Sequence, residues 1–386
     1  MGTVGGSIRR ELIGGRSNGS LLSGLSTLFL FTLVFGVTVA QEAERQPRAV
    51  PAEYLRDLSL PGSQNHFLRP SAIHVDKRFD EIFVADPGNN RIVIFDENGV
   101  YRHEFRGRGH FSTPWDLTVD SEGFIYVLAT AREGRRLLRF DFDGTFVRSL
   151  PLPEEMDGLP VDFRSVVLDD RDRLYLLDQA GMRVCVYDRE GTLLDTFGIL
   201  GSMESDLLAE QIVGRMRIKS DRLFVPAPAV GSIYVYDLSG NHLRTIGHKG
   251  STVGQLNFPV DVALTDDGLV LILDKHRFNV VCFNMEGDFY GEFGGKGISP
   301  GWFYHPSLLA VDEDDQVYVG QIFKNKVQVC RIPEFIKTRH LRMKIDRKKS
   351  DDLGHIPYGM KPVGSTSDAK EEICLGANTH QGTRRS

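Results

Sequence analysis

Short apolar and β-branched runs alternate with polar turns along most of the chain. One turn recurs five times, as Asp or Asn followed three residues later by Gly, at residues 96–99, 141–144, 188–191, 237–240 and 284–287. The Asp or Asn side chain opens such a turn, and Gly accepts the positive φ at its end. Successive turn glycines lie 45 to 49 residues apart, so the pattern predicts one β-hairpin in each of several similar units.

Each unit contains four strand-like runs. In the first unit they lie at residues 70–76, 81–85 and 91–95, and Phe105 marks the fourth. A sixth copy, with strands at 316–320 and 326–330, lacks the Gly turn. Four short antiparallel strands form one propeller blade, which must stack on its neighbours because it cannot bury both faces alone. We therefore predict an all-β protein, a six-bladed β-propeller of four-stranded antiparallel blades.

The ring is predicted to close through the start of the chain. The sixth unit ends near Ile332 without an outer strand, whereas residues 54–60 resemble the outer strand of the second unit. We expect residues 54–60 to be the fourth strand of blade six, which removes the exposed sheet edges. The propeller then spans residues 54–333, after a linker at 41–53. Residues 334–386 form a basic C-terminal tail, disordered or partly helical.

The first 40 residues have the features of a targeting segment. Three arginines precede an apolar run at residues 28–40, and small residues stand before Gln41. This order predicts a secretory signal peptide over residues 1–40. Extending the apolar run back to Leu21 gives about 20 residues, enough to span a bilayer, so an uncleaved membrane anchor is the alternative. Both interpretations place the body outside the cytoplasm. A cleaved signal predicts a periplasmic or secreted protein, and an uncleaved one predicts a protein anchored to the membrane by its N-terminal segment.

Charge and cysteine spacing exclude several classes of protein. The formal net charge is −6, so no global positive field recruits nucleic acid or an anionic membrane. The four cysteines form neither a CxxC motif nor a zinc-binding spacing. Cys185, Cys282 and Cys330 lie in apolar runs, where we expect buried free thiols. The sequence contains no HExxH or P-loop motif.

The repeat has a recognisable consensus. Its units follow Pro-x-x-Φ-x-Φ-Asp and then Φ-Φ-Φ-Asp-x-x-x-x-Arg-Φ-x-Φ-Φ-Asp-x-x-Gly, where Φ is apolar, most clearly at residues 70–99. Over residues 54–332 the chain resembles NHL-repeat β-propellers. The resemblance implies a platform for binding proteins, nucleic acid or sugars, and more rarely a lyase or hydrolase. Asp86 with Arg91 and Asp178 with Arg183 keep the repeat spacing, and we expect each pair to tie two strands of one blade.

Binding residues are usually displayed on loops that a rigid frame supports. Several idiosyncratic positions in the predicted loops and strand starts combine aromatic and cationic character, which is enriched at binding hot spots. These are Trp115, Arg164, Arg215, His276, Arg277 and Phe278. They predict a non-enzymatic scaffold whose rim loops bind a protein, peptide or glycan, without a cofactor.

The alternative is a metal-assisted lyase or hydrolase in the central channel. Asp116 and Asp261 occupy equivalent positions after Pro, and His74 lies on another inner strand. Oxygen ligands of this kind suit a divalent cation such as Ca²⁺. This hypothesis requires the three side chains to converge at one point on the channel axis.

Overall fold

Six four-stranded antiparallel sheets form the body of the protein, as predicted. The computed structural model describes residues 49–62, 65–132, 134–201 and 212–353, with side chains to residue 345. The predicted signal or anchor, most of the linker and residues 354–386 lie outside this range. The first strand, which is the outer strand of blade six, is β1 (Glu53–Asp57).

The remaining strands follow the blades in chain order. Blade one is β2 (Ala72–Asp76), β3 (Glu81–Asp86), β4 (Arg91–Asp96) and β5 (Tyr101–Arg106); blade two is β6 (Thr113–Val119), β7 (Ile125–Ala131), β8 (Gly134–Phe140) and β9 (Phe146–Ser149). A small hairpin follows, β10 (Glu155–Met156) and β11 (Leu159–Pro160). Blade three is β12 (Phe163–Leu168), β13 (Leu174–Asp178), β14 (Arg183–Tyr187) and β15 (Leu193–Gly198); blade four is β16 (Arg217–Lys219), β17 (Arg222–Ala227), β18 (Ser232–Asp237) and β19 (His242–Ile246). Blade five is β20 (Pro259–Leu264), β21 (Leu269–Asp274), β22 (Asn279–Asn284) and β23 (Phe289–Gly294); blade six adds β24 (Pro306–Val311), β25 (Gln316–Gln321) and β26 (Lys326–Arg331) to β1.

The recurrent hairpin turn has the predicted mechanism. Asp96 Oδ1 accepts the backbone N–H groups of Asn98 at 3.0 Å and Val100 at 2.8 Å, and Gly99 has a φ of +74°. The turns at residues 141–144, 188–191, 237–240 and 284–287 repeat these bonds. Local hydrogen bonds therefore set the register of the two outer strands in blades one to five.

The predicted Asp–Arg ties are confirmed. Arg91 Nε donates to Asp86 Oδ2 at 2.8 Å, and the blade-three pair, Arg183 and Asp178, is joined at 2.9 Å. All four side chains are buried, so each pair is a charge-assisted bond within one blade. In blade five, where Asn279 replaces the arginine, the carboxylate of Asp274 instead accepts backbone N–H groups.

The blades pack face to face through apolar side chains, and the ring closes at blade six. β1 pairs with β26 in the register Tyr54↔Cys330 and Asp57↔Gln328. The strand ends three residues earlier than predicted, although Leu58 still donates its N–H to Val327 at 2.9 Å. The cysteines at 185, 282 and 330 are buried and free, as expected, while Cys374 lies outside the described residues.

One helix, α1 (Glu334–Leu353), follows the last blade. Ile336 is fully buried and packs on Gly291 of β23. The contact is close: a Cβ atom added at Gly291 would lie 2.8 Å from Cγ1 of Ile336. The chain divides into two units after His340, and of the second unit the structure describes only the helical residues 341–353. Within the described ranges, no helix is both long and apolar enough to cross a membrane.

Candidate functional site

All six inner strands begin at the same end of the channel, which we call the entrance face. Because neighbouring strands are antiparallel, the loops between the second and third strands also lie at this end. The entrance face therefore carries all of the binding residues predicted from the sequence. They are Trp115, Arg164 and Arg215 at or beside the starts of inner strands, and His276, Arg277 and Phe278 in the β21–β22 loop.

The structure brings three of the predicted residues together. Trp115, Arg164 and Arg215 line one cavity of about 360 Å³, which we call the mouth pocket. Its other lining residues are Gln179, Ile212 and Val213. Gln179 fixes this wall because its side-chain oxygen accepts the N–H of Val213 at 2.8 Å. The pocket thus combines an aromatic face, two guanidinium groups and an aliphatic wall.

Trp115 is held in place while part of its ring faces solvent. Its indole N–H donates to Thr130 Oγ1 at 2.8 Å. The guanidinium carbon of Arg135 lies 5.1 Å from the ring centroid, a cation–π distance. An indole with a satisfied N–H and an exposed face is a ready contact for an apolar or aromatic group.

The arginines beside Trp115 outnumber their carboxylates. Asp162 accepts from Arg135 at 2.5 Å and from Arg164 Nε at 2.6 Å, so two guanidinium groups share one acid. Burial lowers the pKa of Arg135; Asp162 opposes this effect and Arg164 adds to it. In the part of the chain that the structure describes, neither Nη of Arg164 has a protein partner. One positive charge and a free guanidinium edge therefore remain at the pocket.

Arg215 separates the mouth pocket from the channel below. Its guanidinium lies 3.0 Å from Asp116 Oδ1 and 3.7 Å from Asp261 Oδ2, and it also donates to the backbone carbonyl of Ser71. Residues of four different blades meet at this one side chain. Arg217 adds a second contact to Asp261, at 3.3 Å.

The predicted metal ligands have other partners. Asp116 accepts the N–H of Val166 at 3.0 Å, and Asp261 accepts that of Leu309 at 2.9 Å, so each ties its blade to the next inner strand. Burial raises the pKa of Asp261, against the effect of Arg217 and Arg215. No group of three His, Cys, Asp or Glu side chains in the described ranges is arranged to hold a metal ion. The convergence that a cation at His74, Asp116 and Asp261 requires is therefore not observed.

The other predicted residues have different surroundings. His276 stacks on Phe258, with ring centroids 4.3 Å apart. Arg277 is largely buried, because its guanidinium pairs with Glu292 at 2.6 Å and donates to the Gln255 carbonyl at 2.7 Å. Arg277 thus supports the loop from within, whereas the sequence predicted a binding role.

Phe278 belongs to an aromatic cluster that the sequence did not predict. The cluster surrounds His305, whose ring centroid lies 5.5 Å from Phe278, 4.6 Å from Tyr304 and 5.0 Å from Phe323. Lys296 and Lys324 lie over the rings of Phe278 and Tyr304. We call these six residues the rim cluster. The sequence indicated Phe278 and the aromatic run at 302–305 but not their association, because the members of the cluster come from separate loops of blades five and six.

Comparisons with known proteins agree with the fold. No protein-family model matches the sequence. The chain is 24% identical over 139 residues to Protein brain tumor of Drosophila melanogaster, a match that covers 36% of this chain and 13% of that protein.

Solved structures resemble the chain over most of the ring. "Streptogramin B lyase structure" shares 14% identity at a TM-score of 0.51, covering 73% of this chain and 98% of that one. A structural genomics protein of unknown function from Bacteroides thetaiotaomicron shares 10% at 0.53, over 73% and 74%. The β-propeller domain of Myceliophteria thermophila Cps50 (Swd1) shares 11% at 0.52, over 73% and 100%. At these identities the similarity shows that the chain is a β-propeller.

Proposed function

We propose that this protein is an extracytoplasmic binding or scaffold protein whose entrance face holds a protein or peptide partner. The observation that carries the proposal is the mouth pocket, where Trp115, Arg164 and Arg215 line one concave site. Binding sites are concave and combine apolar walls with a few polar groups that fix orientation. The rigid ring below the pocket holds these groups in position before any partner binds.

The charge of the pocket indicates which partner group it accepts. Arg135 and Arg164 share Asp162, and the Nη atoms of Arg164 are free among the described residues. An Asp or Glu side chain of the partner would pair with this edge of Arg164, while a neighbouring apolar group packs on Trp115. Arg–carboxylate pairs and buried aromatic anchors are typical of binding hot spots.

The consensus repeat supports two further assignments. We propose that the blades are NHL-type repeats, on the basis of the repeat spacing and the partial similarity to Protein brain tumor. The N-terminal pattern supports export, with cleavage before Gln41. Mass measurement of the protein from its own host tests export: the expected chain begins at residue 41, and a full-length chain in the soluble cytoplasmic fraction would contradict it.

The binding experiment compares arginines of similar exposure. Partners are captured from the host's extracytoplasmic fraction, identified, and then titrated as purified proteins. We expect Trp115→Ala and Arg164→Ala each to weaken the Kd about 10- to 100-fold while leaving Tm nearly unchanged. Arg164→Lys keeps the charge but loses the planar fork, so its effect is smaller than that of Arg164→Ala.

The matched control is Arg102→Ala on β5. Arg102 is 43% exposed and pairs with Glu81 at 3.0 Å, while Arg164 is 48% exposed and pairs with Asp162 at 2.6 Å. We expect this control to bind like the wild type. A partner that binds all the variants equally would show that the mouth pocket is not its site.

A further inference from the structure

Below Arg217 the inner strands enclose a chamber of about 210 Å³ in the half of the channel away from the entrance. We call it the exit chamber. Its ionisable lining side chains are His74, Lys77, Arg217 and Lys219, and no carboxylate lines it among the described residues. The other lining residues are apolar except Thr118. Three permanent cations around a small cavity favour an anion inside it.

The two lysines are only half neutralised. Lys77 Nζ lies 2.8 Å from Asp266 Oδ2, and Lys219 Nζ lies 2.5 Å from Asp266 Oδ1. These residues come from blades one, four and five, so the bridge spans the exit end. Each ammonium group can donate three hydrogen bonds, and one carboxylate cannot satisfy both. One positive charge is left beside the chamber.

His74 supplies a further donor to the chamber. Its imidazole has no hydrogen bond or ion pair in the described part of the chain and lines the cavity. Burial lowers its pKa from 6.5 to about 4, with Asp76 and Asp116 opposing this effect and Arg217 and Arg78 adding to it. The ring is therefore neutral at pH 7 and can donate one N–H to a ligand.

Carboxylates limit how far this site extends. An adjoining recess toward the exit shares His74 and Lys77 with the chamber. It is also lined by Asp76, which pairs with Arg78, and by Asp169, Asp170 and Asp172, so carboxylates outnumber cations there. These acids repel an anion, so the favourable position lies on the Arg217 side. Arg217 itself is bound to Asp261 and to the Leu309 carbonyl, and it acts as a fixed positive wall.

We propose that the exit chamber binds a small tetrahedral oxyanion, of the class of sulfate or phosphate, between His74, Lys77 and Lys219. A cavity of about 210 Å³ is smaller than the roughly 300 Å³ at which drug-sized ligand sites begin, which suits an inorganic ion. The same charges disfavour the divalent cation considered from the sequence. This site is independent of the proposed protein-binding face, because Arg215 and Arg217 lie between the two.

The test measures sulfate affinity by calorimetry on the full chain at constant ionic strength. Asp266 competes with the anion for both lysines, so Asp266→Asn is expected to tighten the Kd several-fold, up to about tenfold. The double variant Lys77→Met with Lys219→Met is expected to weaken it at least about tenfold. Opposite signs from neighbouring residues distinguish anion binding from a general loss of structure.

A surface Lys–Asp pair elsewhere provides the control. Asp57→Asn releases Lys326, which lies 3.7 Å from that carboxylate on blade six, and should leave sulfate binding unchanged. Sulfate should also raise the pKa of His74 above about 4, followed by NMR of the imidazole. No saturable sulfate binding in the wild type and in Asp266→Asn overturns the proposal. Equally tight binding of acetate overturns the assignment to a tetrahedral oxyanion.

Discussion

Ion pairs between blades bridge both ends of the channel, but in different surroundings. At the entrance, Arg215 joins Asp116 and Asp261, whose carboxylates are buried. At the exit, Asp266 joins Lys77 and Lys219, and all three side chains are partly exposed. Both bridges connect different blades across the ring. Because burial, rather than the number of ion pairs, governs the energetic weight of such contacts, we expect the two bridges to contribute differently to stability.

The residue types fit these surroundings. The planar guanidinium of Arg215 lies within ion-pair distance of two carboxylates and donates to the Ser71 carbonyl, so one rigid cation connects several blades in a buried site. Lysine is a hydrated point charge, which suits the wet exit end. The entrance bridge is therefore a structural part of the ring, whereas the exit bridge leaves charge free for a ligand.

The largest effect is expected from breaking the entrance bridge. Arg215→Met leaves Asp116 without a cation and Asp261 with Arg217 alone, so we expect a loss of about 3–5 kcal/mol in the free energy of unfolding. Urea denaturation at pH 7 measures it, with Arg102→Met as a control near zero. A loss below about 1 kcal/mol would mean that water reaches these carboxylates and screens them.

A pH titration examines the chamber between the two bridges. Since the pKa of His74 falls from 6.5 to about 4 on folding, the unfolded chain binds a proton in this window and the folded chain does not. The contribution of the neutral ring is complete above pH 6.5 and is lost as the pH falls toward 4, by at most about 3 kcal/mol.

His74→Gln removes this titration. We expect the variant to lose less stability than the wild type between pH 7 and about pH 4.5, as measured by urea denaturation at each pH. Taking the difference between the two proteins cancels the protonation of the carboxylates they share. Parallel pH profiles would show that the imidazole is solvated within the channel.

The smallest effect is expected at the exit bridge. Asp266→Asn should change the free energy of unfolding by less than about 1 kcal/mol, because exposed ion pairs are screened and flexible. Urea denaturation at low and high salt measures this change, which should shrink as salt rises. A loss as large as that of Arg215→Met would remove the distinction between the two ends.

The sequence predicted those parts of the molecule that depend on neighbours within one blade. The Asp–x–x–Gly turns and the Asp86–Arg91 tie involve residues three to five apart, so their partners can be inferred from spacing. The closure of the ring by the start of the chain was also predicted, although β1 ends at Asp57 rather than at residue 60.

The candidate site was predicted only in part. The sequence indicated Trp115, Arg164 and Arg215 as separate idiosyncratic positions, and the fold places them around one pocket. It could not show that Arg277 turns inward to Glu292, or that Phe278 of blade five reaches His305 of blade six. These contacts depend on the conformation that each loop adopts in the folded ring, and the local sequence pattern does not predict that conformation.

By itself, the sequence determined the repeat, the strand order and the turns, because their hydrogen bonds are local and recur in each unit. Only the tertiary structure decided which charges share a site. Arg215 pairs with Asp116, which lies on a strand about 100 residues earlier in the chain. Lys77 beside blade one pairs with Asp266 beside blade five. Such meetings follow from the angle between blades and the width of the channel, and these are properties of the closed ring.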